Sequence, residues 1–197
     1  MSRDQRVITP EDIMDLATYE TIRPEKREEA LLRKRFRRLS VGPLVTVSFE
    51  NWDSMWLQVQ EMLRIEKGGE EQLVDELAAY NPMIPNGHEL NCTLMFEIDD
   101  PVIRARTLGK LGGIEDHIHL SIDGERITAV AEGDVERSRP DGKASSVHFL
   151  HFPFTDAQIA KWRSGAGAML FGIDHPAYGH MAVISEDIRH ELARDFA

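Results

Sequence analysis

The chain has 197 residues, 42% hydrophobic and 29% charged, which is the balance of an ordinary globular protein and disfavours the disordered and fibrous classes. At that length about 70% of the unfolded surface can be buried, so no metal or disulfide is needed as a staple, and a single domain over residues 1–197 is expected. A formal net charge of −11 opposes general affinity for nucleic acid or anionic lipid, both polyanions, and only a local basic patch could reverse that.

In chain order, Met1 to Glu20 mixes acids and bases and has no apolar h-region, which predicts no secretory signal. No run of about 18 apolar residues follows anywhere, so the expected compartment is the cytoplasm. Thr9-Pro10-Glu11-Asp12 carries a hydroxyl cap, a proline for the first helical position and two acids, and predicts a short helix through about Leu16. Pro24 is expected to open a second helix, with Leu32, Phe36 and Leu39 as its apolar stripe. After Gly42-Pro43, the β-branched run Leu44 to Phe49 reads as a strand. Asn51 then caps an amphipathic helix in which Trp52, Met55, Trp56, Val59, Met62 and Leu63 recur at core spacing, while Gln58, Glu61 and Arg64 form a polar stripe.

Gly68-Gly69 ends that helix, Glu70 to Ala79 makes another, and two prolines between Asn81 and Gly87 force an extended loop. From Leu90 the period becomes two, which predicts a half-buried strand through Ile98. Asp99-Asp100-Pro101 starts a helix to about Leu111. His117–Ile122 and Arg126–Ala131 form a hairpin around Asp123-Gly124. Glu132 to Lys143 reads as an exposed loop, followed by a strand from Ser146 to Phe152, a capped helix from Thr155 to Ser164, and strands at Ala168–Ile173 and His180–Ile184. Ser185 caps the terminal helix. No repeated strand–helix–strand unit or phosphate-binding glycine loop is present, so the expected class is α+β, a mainly antiparallel sheet flanked by helices with a helical N-terminal portion.

Three constellations could carry chemistry. Glu115, His117 and His119, placed on a strand, would share one face, and two imidazoles with a carboxylate suit Fe, Mn or Zn; His175, Asp174 or His180 could add a ligand. Solvent-facing or hydrogen-bonded histidines on a half-exposed sheet fit the same pattern. Glu61 and Arg64, three residues apart, could pair on their helix or form a candidate pocket with Tyr80 and His88. The basic run Arg33, Lys34, Arg35, Arg37 and Arg38 could hold an acidic partner, or could simply complement the negative end of a helix dipole. Cys92 shares a face with Leu94 and Phe96, so it reads as a buried small hydrophobe, and as the only cysteine it excludes an intramolecular disulfide and a cysteine-only metal site. His148 and His151 face opposite sides of their strand. No serine elbow, zinc-protease helix or paired-cysteine motif is present, so nucleophilic hydrolysis is unsupported.

The segments Ile8–Ile13, Gln58–Glu66, Tyr80–Leu90, Gly113–His117, Ser146–Leu150 and Asp174–Tyr178 together resemble a bacterial family known as a domain of unknown function. The genes of that family tend to neighbour those of rubrerythrin-like non-haem iron proteins and iron-sulfur oxidoreductases. The resemblance implies a soluble accessory protein of an iron-dependent redox or peroxide-defence module, acting through contact with such a partner; a metal-binding protein or metal-dependent enzyme is the alternative. It names no functional residue.

Overall fold

The Thr9 signal produces one 3-10 turn, Pro10–Asp12, in the computed structural model, which describes residues 2–132 and 143–197. Asp12 turns back to accept from both the backbone and the hydroxyl of Thr9, at 2.8 and 2.9 Å, and the segment stops there. A single helix α1 then runs Leu16–Lys34, capped by Asp15, with Pro24 inside it. The expectation that Pro24 starts a new helix is thus corrected. An interior proline removes one hydrogen bond and costs roughly 3 kcal/mol, and the helix continues through it with Tyr19 fully buried and with Glu20 on Arg64 at 2.6 Å and Glu61 on Arg23 at 2.7 Å and Arg27 at 3.7 Å. The stripe expected to face the core is also corrected. Tyr19 is the buried residue of α1, while Leu32 and Phe36 are 53% and 44% exposed.

A strand the sequence did not announce, β1 (Arg38–Val41), pairs with β2 (Val45–Phe49). Their turn needs Gly42 at φ +68°, where a Cβ would run into the His180 ring and the Tyr178 hydroxyl. Helix α2 (Trp52–Glu66) starts at its expected cap, Asn51 accepting from the Ser54 amide at 3.0 Å, and α3 covers Gly69–Tyr80. Next come β3 (Glu89–Phe96), α4 (Pro101–Leu108), β4 (Ile118–Ile122), β5 (Glu125–Thr128), β6 (Val130–Ala131) and β7 (Val147–Pro153). The chain closes with α5 (Asp156–Ser164), β8 (Met169–His175), β9 (Tyr178–Val183) and α6 (Glu186–Leu192). Most of the loop expected at Glu132 to Lys143 lies outside the described residues.

The strands form two antiparallel sheets, β1-β2-β3-β7-β6 and β5-β4-β8-β9. The strand expected at Arg126–Ala131 is divided between them. At Ala129 the backbone amide still donates to the Ile118 carbonyl, at 2.9 Å, and the next two residues pair instead with His151 and Leu150 of β7. Small Ala129 fits this corner, where a strand leaves one packed sheet for the other. Period two sends Val47, Leu94 and Leu150 inward from the first sheet against Leu120, Phe171 and Ile173 of the second. The opposite face of the first sheet carries Ser48, Thr93, Met95, Val147 and Phe149, and helices α1–α3 cover it through Tyr19, Met55, Trp56 and Leu77. No helix among the described residues is long and apolar enough to cross a membrane.

Candidate functional site

The helical layer and the first sheet leave a cavity of about 490 Å³ between them. Its floor is Phe49, Glu50 and Thr93, and its apolar walls are Met55, Leu57, Met95, Val147 and Phe149. Leu31, 66% exposed, marks the mouth with Arg27 and Lys34, because the C-terminal half of α1 spans the gap without packing into it.

Glu50 gives the cavity its chemical character. It follows β2 and precedes the cap of α2, so the alternation that buries Val47 and Phe49 on one face sends Ser48 and Glu50 to the other. Its backbone amide donates to the Asn91 carbonyl at 2.8 Å, fixing the exit from the strand. The side chain is only 9% exposed. Thr93 Oγ1 donates to Oε1 at 2.7 Å, and Ser54 Oγ lies 2.6 Å from Oε2 and 3.0 Å from the Asn51 carbonyl. Burial pushes the Glu50 carboxyl above its ordinary range against the opposing pull of these hydroxyls, Arg37 and Lys34. The Ser54 hydroxyl, which donates to Glu50, itself accepts from the Asn51 amide at 2.9 Å, so one side chain ties the carboxyl to the start of α2.

At the other side of the cavity Glu61 is ionised. Arg23 grips it at 2.7 and 3.0 Å and Tyr19 Oη donates to it at 2.6 Å. The Arg23 contact chiefly holds its pKa down at about 2, from 4.5, and the Tyr19 phenol is pushed up by burial and by this carboxylate. Because the folded value is depressed, the stability contributed by Glu61 is fully present above pH 4.5 and is lost as pH falls toward 2. Two carboxyls with environments pushing in opposite directions thus share one cavity, a pattern of acid–base and binding sites.

Of the residues singled out from sequence, Glu61, Tyr80, Arg33 and Arg37 line this cavity, together with Gln58, whose Nε2 donates to Tyr80 Oη at 3.3 Å. Arg64 does not pair with Glu61 but with Glu20, and exposed His88 lies 3.5 Å from Asp156. The basic run divides. Arg33 is held by Asp53 at 2.9 Å, Arg38 by Glu97 at 2.8 Å, and Arg35 is exposed. Arg37, expected at a partner surface, is buried instead, paired with Asp195 and Glu191 and donating to the carbonyls of Phe49 and Glu50. Glu50 was missed; its signal is the alternation of Val45, Val47 and Phe49 with Thr46, Ser48 and Glu50.

The histidine constellation is corrected in geometry. Glu115 and His117 lie in a 3-10 turn, Ile114–His117, and of the trio only His119 is on β4, so period two does not align them. His117 Nδ1 meets Asp174 Oδ1 at 3.1 Å, and the Arg126 guanidinium reaches Asp174 Oδ2 at 2.5 Å and His119 Nδ1 at 2.7 Å. His175 stands edge-on to His117, ring centres 5.1 Å apart, and its Nδ1 accepts from the Ala177 amide at 3.2 Å. A neutral imidazole has one lone pair to give, and His119 and His175 each direct theirs at an N–H donor. Burial, followed by the charge of Arg126, lowers the pKa of His119. Its ring lies over Gly172, where any Cβ would collide with it. Among the described residues no group of three or more His, Cys, Asp or Glu side chains could hold a metal ion. His151 lies between Glu89 and Glu132, at 3.5 and 2.6 Å, and His148 is buried on the other face. Cys92 is buried, which pushes its thiol well up and away from a reactive thiolate.

The molecule is therefore an α+β protein in which a helical layer roofs an acid-floored cavity on one of two packed antiparallel sheets. Residues 7–196 match the family described as a protein of unknown function, DUF3501, and the chain belongs to that family. It is similar to a solved structure, a novel protein of unknown function from Burkholderia pseudomallei K96243, at 34% identity and a TM-score of 0.89, with 97% of this chain and 100% of that chain covered. No curated protein matches the chain.

Proposed function

We propose that the protein binds a small organic molecule in the cavity between α1, α2 and the first sheet. The observation that carries this reading is Glu50, a buried carboxyl facing a cavity of about 490 Å³ whose walls are largely apolar. Thr93 and Ser54 hold the Glu50 carboxyl in place within the fold, and an apolar pocket with a few converging polar groups is the usual form of a ligand site. Amide resonances of Ser48, Ser54, Thr93 and Phe149 are expected to shift when the protein is titrated with 4-phenylbutanamide, and a Met95→Trp variant, which fills the space, is expected to abolish the shifts. No movement at these amides with either this compound or 4-phenylbutyrate, up to the solubility limit of each, sinks the reading.

The resemblance of the sequence to a family neighbouring iron-dependent redox genes supports a setting for such binding: an accessory role in an iron-dependent redox or peroxide-defence module. Beside the mouth, Leu31, Leu32 and Phe36 are exposed next to Arg35, a surface suited to protein contact. Tagged protein is expected to retrieve a rubrerythrin-like or iron-sulfur partner from extracts of its own cell, and a Leu32→Asp, Phe36→Asp variant is expected to lose it. Retrieval that is equal for both proteins removes this surface from the account.

A further inference from the structure

The groups with a hydrogen to give around the cavity define the head of the ligand. Lys34 in the last turn of α1 is exposed at the mouth and has no ion-pair partner among the described residues, although its charge acts on Glu50. The other cations are occupied: Arg27 by Glu61 at 3.7 Å, Arg33 by Asp53 at 2.9 Å, and Arg37 by Asp195 and Glu191. Tyr80 Oη accepts from Gln58, which leaves its own proton without an acceptor among the described residues, and the Ser48 hydroxyl also lines the space. A surplus of donors beside apolar walls fits a molecule with an acceptor-rich head and an apolar body. One unpaired ammonium balances one negative charge. A phosphate dianion would bring a second charge toward Asp53 and Glu61 with no further unpaired cation among the described lining residues to neutralise it.

We propose that the cavity takes an organic carboxylate, its head between the Lys34 ammonium at the mouth and the Glu50 carboxyl at the floor, its apolar body against Met95 and Phe149. This rests on the small-molecule reading above. In its protonated form, which burial favours, Glu50 adds an O–H to the ligand carboxylate, an acid–carboxylate pair and one of the stronger classes of hydrogen bond. It does so facing Lys34 and Arg37 from α1 and the turn after it, Asp53, Ser54 and Glu61 from α2, Tyr80 from the end of α3, and Thr93 from β3, with the Cys92 thiol also sensing its charge. Burial, which favours the protonated form, prepares the acid for this role. A bound carboxylate favours the proton on Glu50 further, so affinity is present while Glu50 is neutral and declines as pH rises through its elevated pKa.

The test is an NMR titration of the full chain with 4-phenylbutyrate and its neutral isostere 4-phenylbutanamide, at mildly acidic and mildly alkaline pH. In the wild type the carboxylate is expected to bind at least about tenfold tighter than the amide at the lower pH, and to weaken at the higher pH. Lys34→Met, an exposed substitution, is expected to erase the preference, and Glu50→Gln to remove the pH dependence because its amide donates at either pH. An amide that binds as well as the carboxylate, or a preference that survives Lys34→Met, overturns the carboxylate assignment and leaves the cavity reading standing. Failure of both compounds to shift the lining amides removes both.

Discussion

Replacing Arg37 with alanine is expected to lower the free energy of unfolding by about 3–5 kcal/mol, the usual cost of leaving one member of a buried ion pair behind. Arg37 is 4% exposed, and its guanidinium joins parts of the chain far apart in sequence. Its Nε donates to the Phe49 carbonyl at 3.1 Å and Nη2 to the Glu50 carbonyl at 3.0 Å, while the Asp195 and Glu191 carboxylates take its charge. Burial, joined by the nearby charge of Glu191, raises the pKa of Asp195, and Arg37 is the main force opposing that rise. Without it Asp195 must take up a proton or stay charged in a low-dielectric site, and the two carbonyls lose their donors. In a chain of this length the loss corresponds to a fall in Tm of roughly 10 °C. Urea unfolding of wild type, Arg37→Ala and Arg37→Met separates the charge from the packing of the stem, since methionine keeps most of the latter. A loss below about 1 kcal/mol in both variants would mean that the pair behaves as an exposed one.

The same residue shows what the sequence could and could not convey. Five cations in six residues look like a surface patch, yet the chain turns from α1 into β1 within that run, and the turn carries Arg37 inward while leaving Arg35 outside. Periodicity reports which face of an element is apolar. It does not report which acid from the far end of the chain will meet a given base. For that reason α2 and β3 were legible, with period, caps and boundaries close to expectation, and the α1 stripe was not: Leu32 and Phe36 have core spacing, but ion pairs to Glu61 and Asp53 set the position of the helix. Pro24 misled for the same reason. Its local cost predicts a break, whereas the tertiary contacts of α1, the burial of Tyr19 and the pairs to Glu61 and Asp53, lie far away in sequence.

The candidate site was legible in part. The polar stripe of α2 directed attention to Gln58 and Glu61, and the helix end to Tyr80, and all three line the cavity. Arg64 and His88 follow the same sequence logic and lie elsewhere, because one helical turn or one extended loop residue is enough to point a side chain away. Glu50 carries the site's chemistry without any motif, only the parity of its position on a short strand. The histidines illustrate the opposite error. A strand that begins one residue later than expected takes His117 and Glu115 out of the period-two pattern and turns an apparent ligand set into a hydrogen-bonded group around Arg126.

Phe171→Ala is the substitution within the hydrophobic core from which a comparably large effect is expected, about 3–5 kcal/mol of stability lost. Phe171 is fully buried on β8, in register with Leu120 and Ala182 of its own sheet. It meets Phe49 edge-to-face at 6.3 Å and Phe152 at 5.7 Å, both from the opposing sheet, so one ring joins the two layers. Truncation to alanine leaves a void that neighbouring strands, pinned by their ladders, can fill only in part. Phe171→Leu keeps much of the volume and is expected to cost less than half as much. The consequence extends to the cavity, because Phe49 is the residue before Glu50 and forms part of its floor. If Phe49 relaxes toward the void, the exit of β2 shifts and Glu50 moves relative to Ser54 and Thr93, which weakens ligand binding as well as the fold. Thermal unfolding together with titration by 4-phenylbutyrate measures both in one series: a variant that loses stability but binds at wild-type affinity would show that the floor of the cavity is held by the Glu50 and Arg37 hydrogen bonds rather than by the packing beneath it.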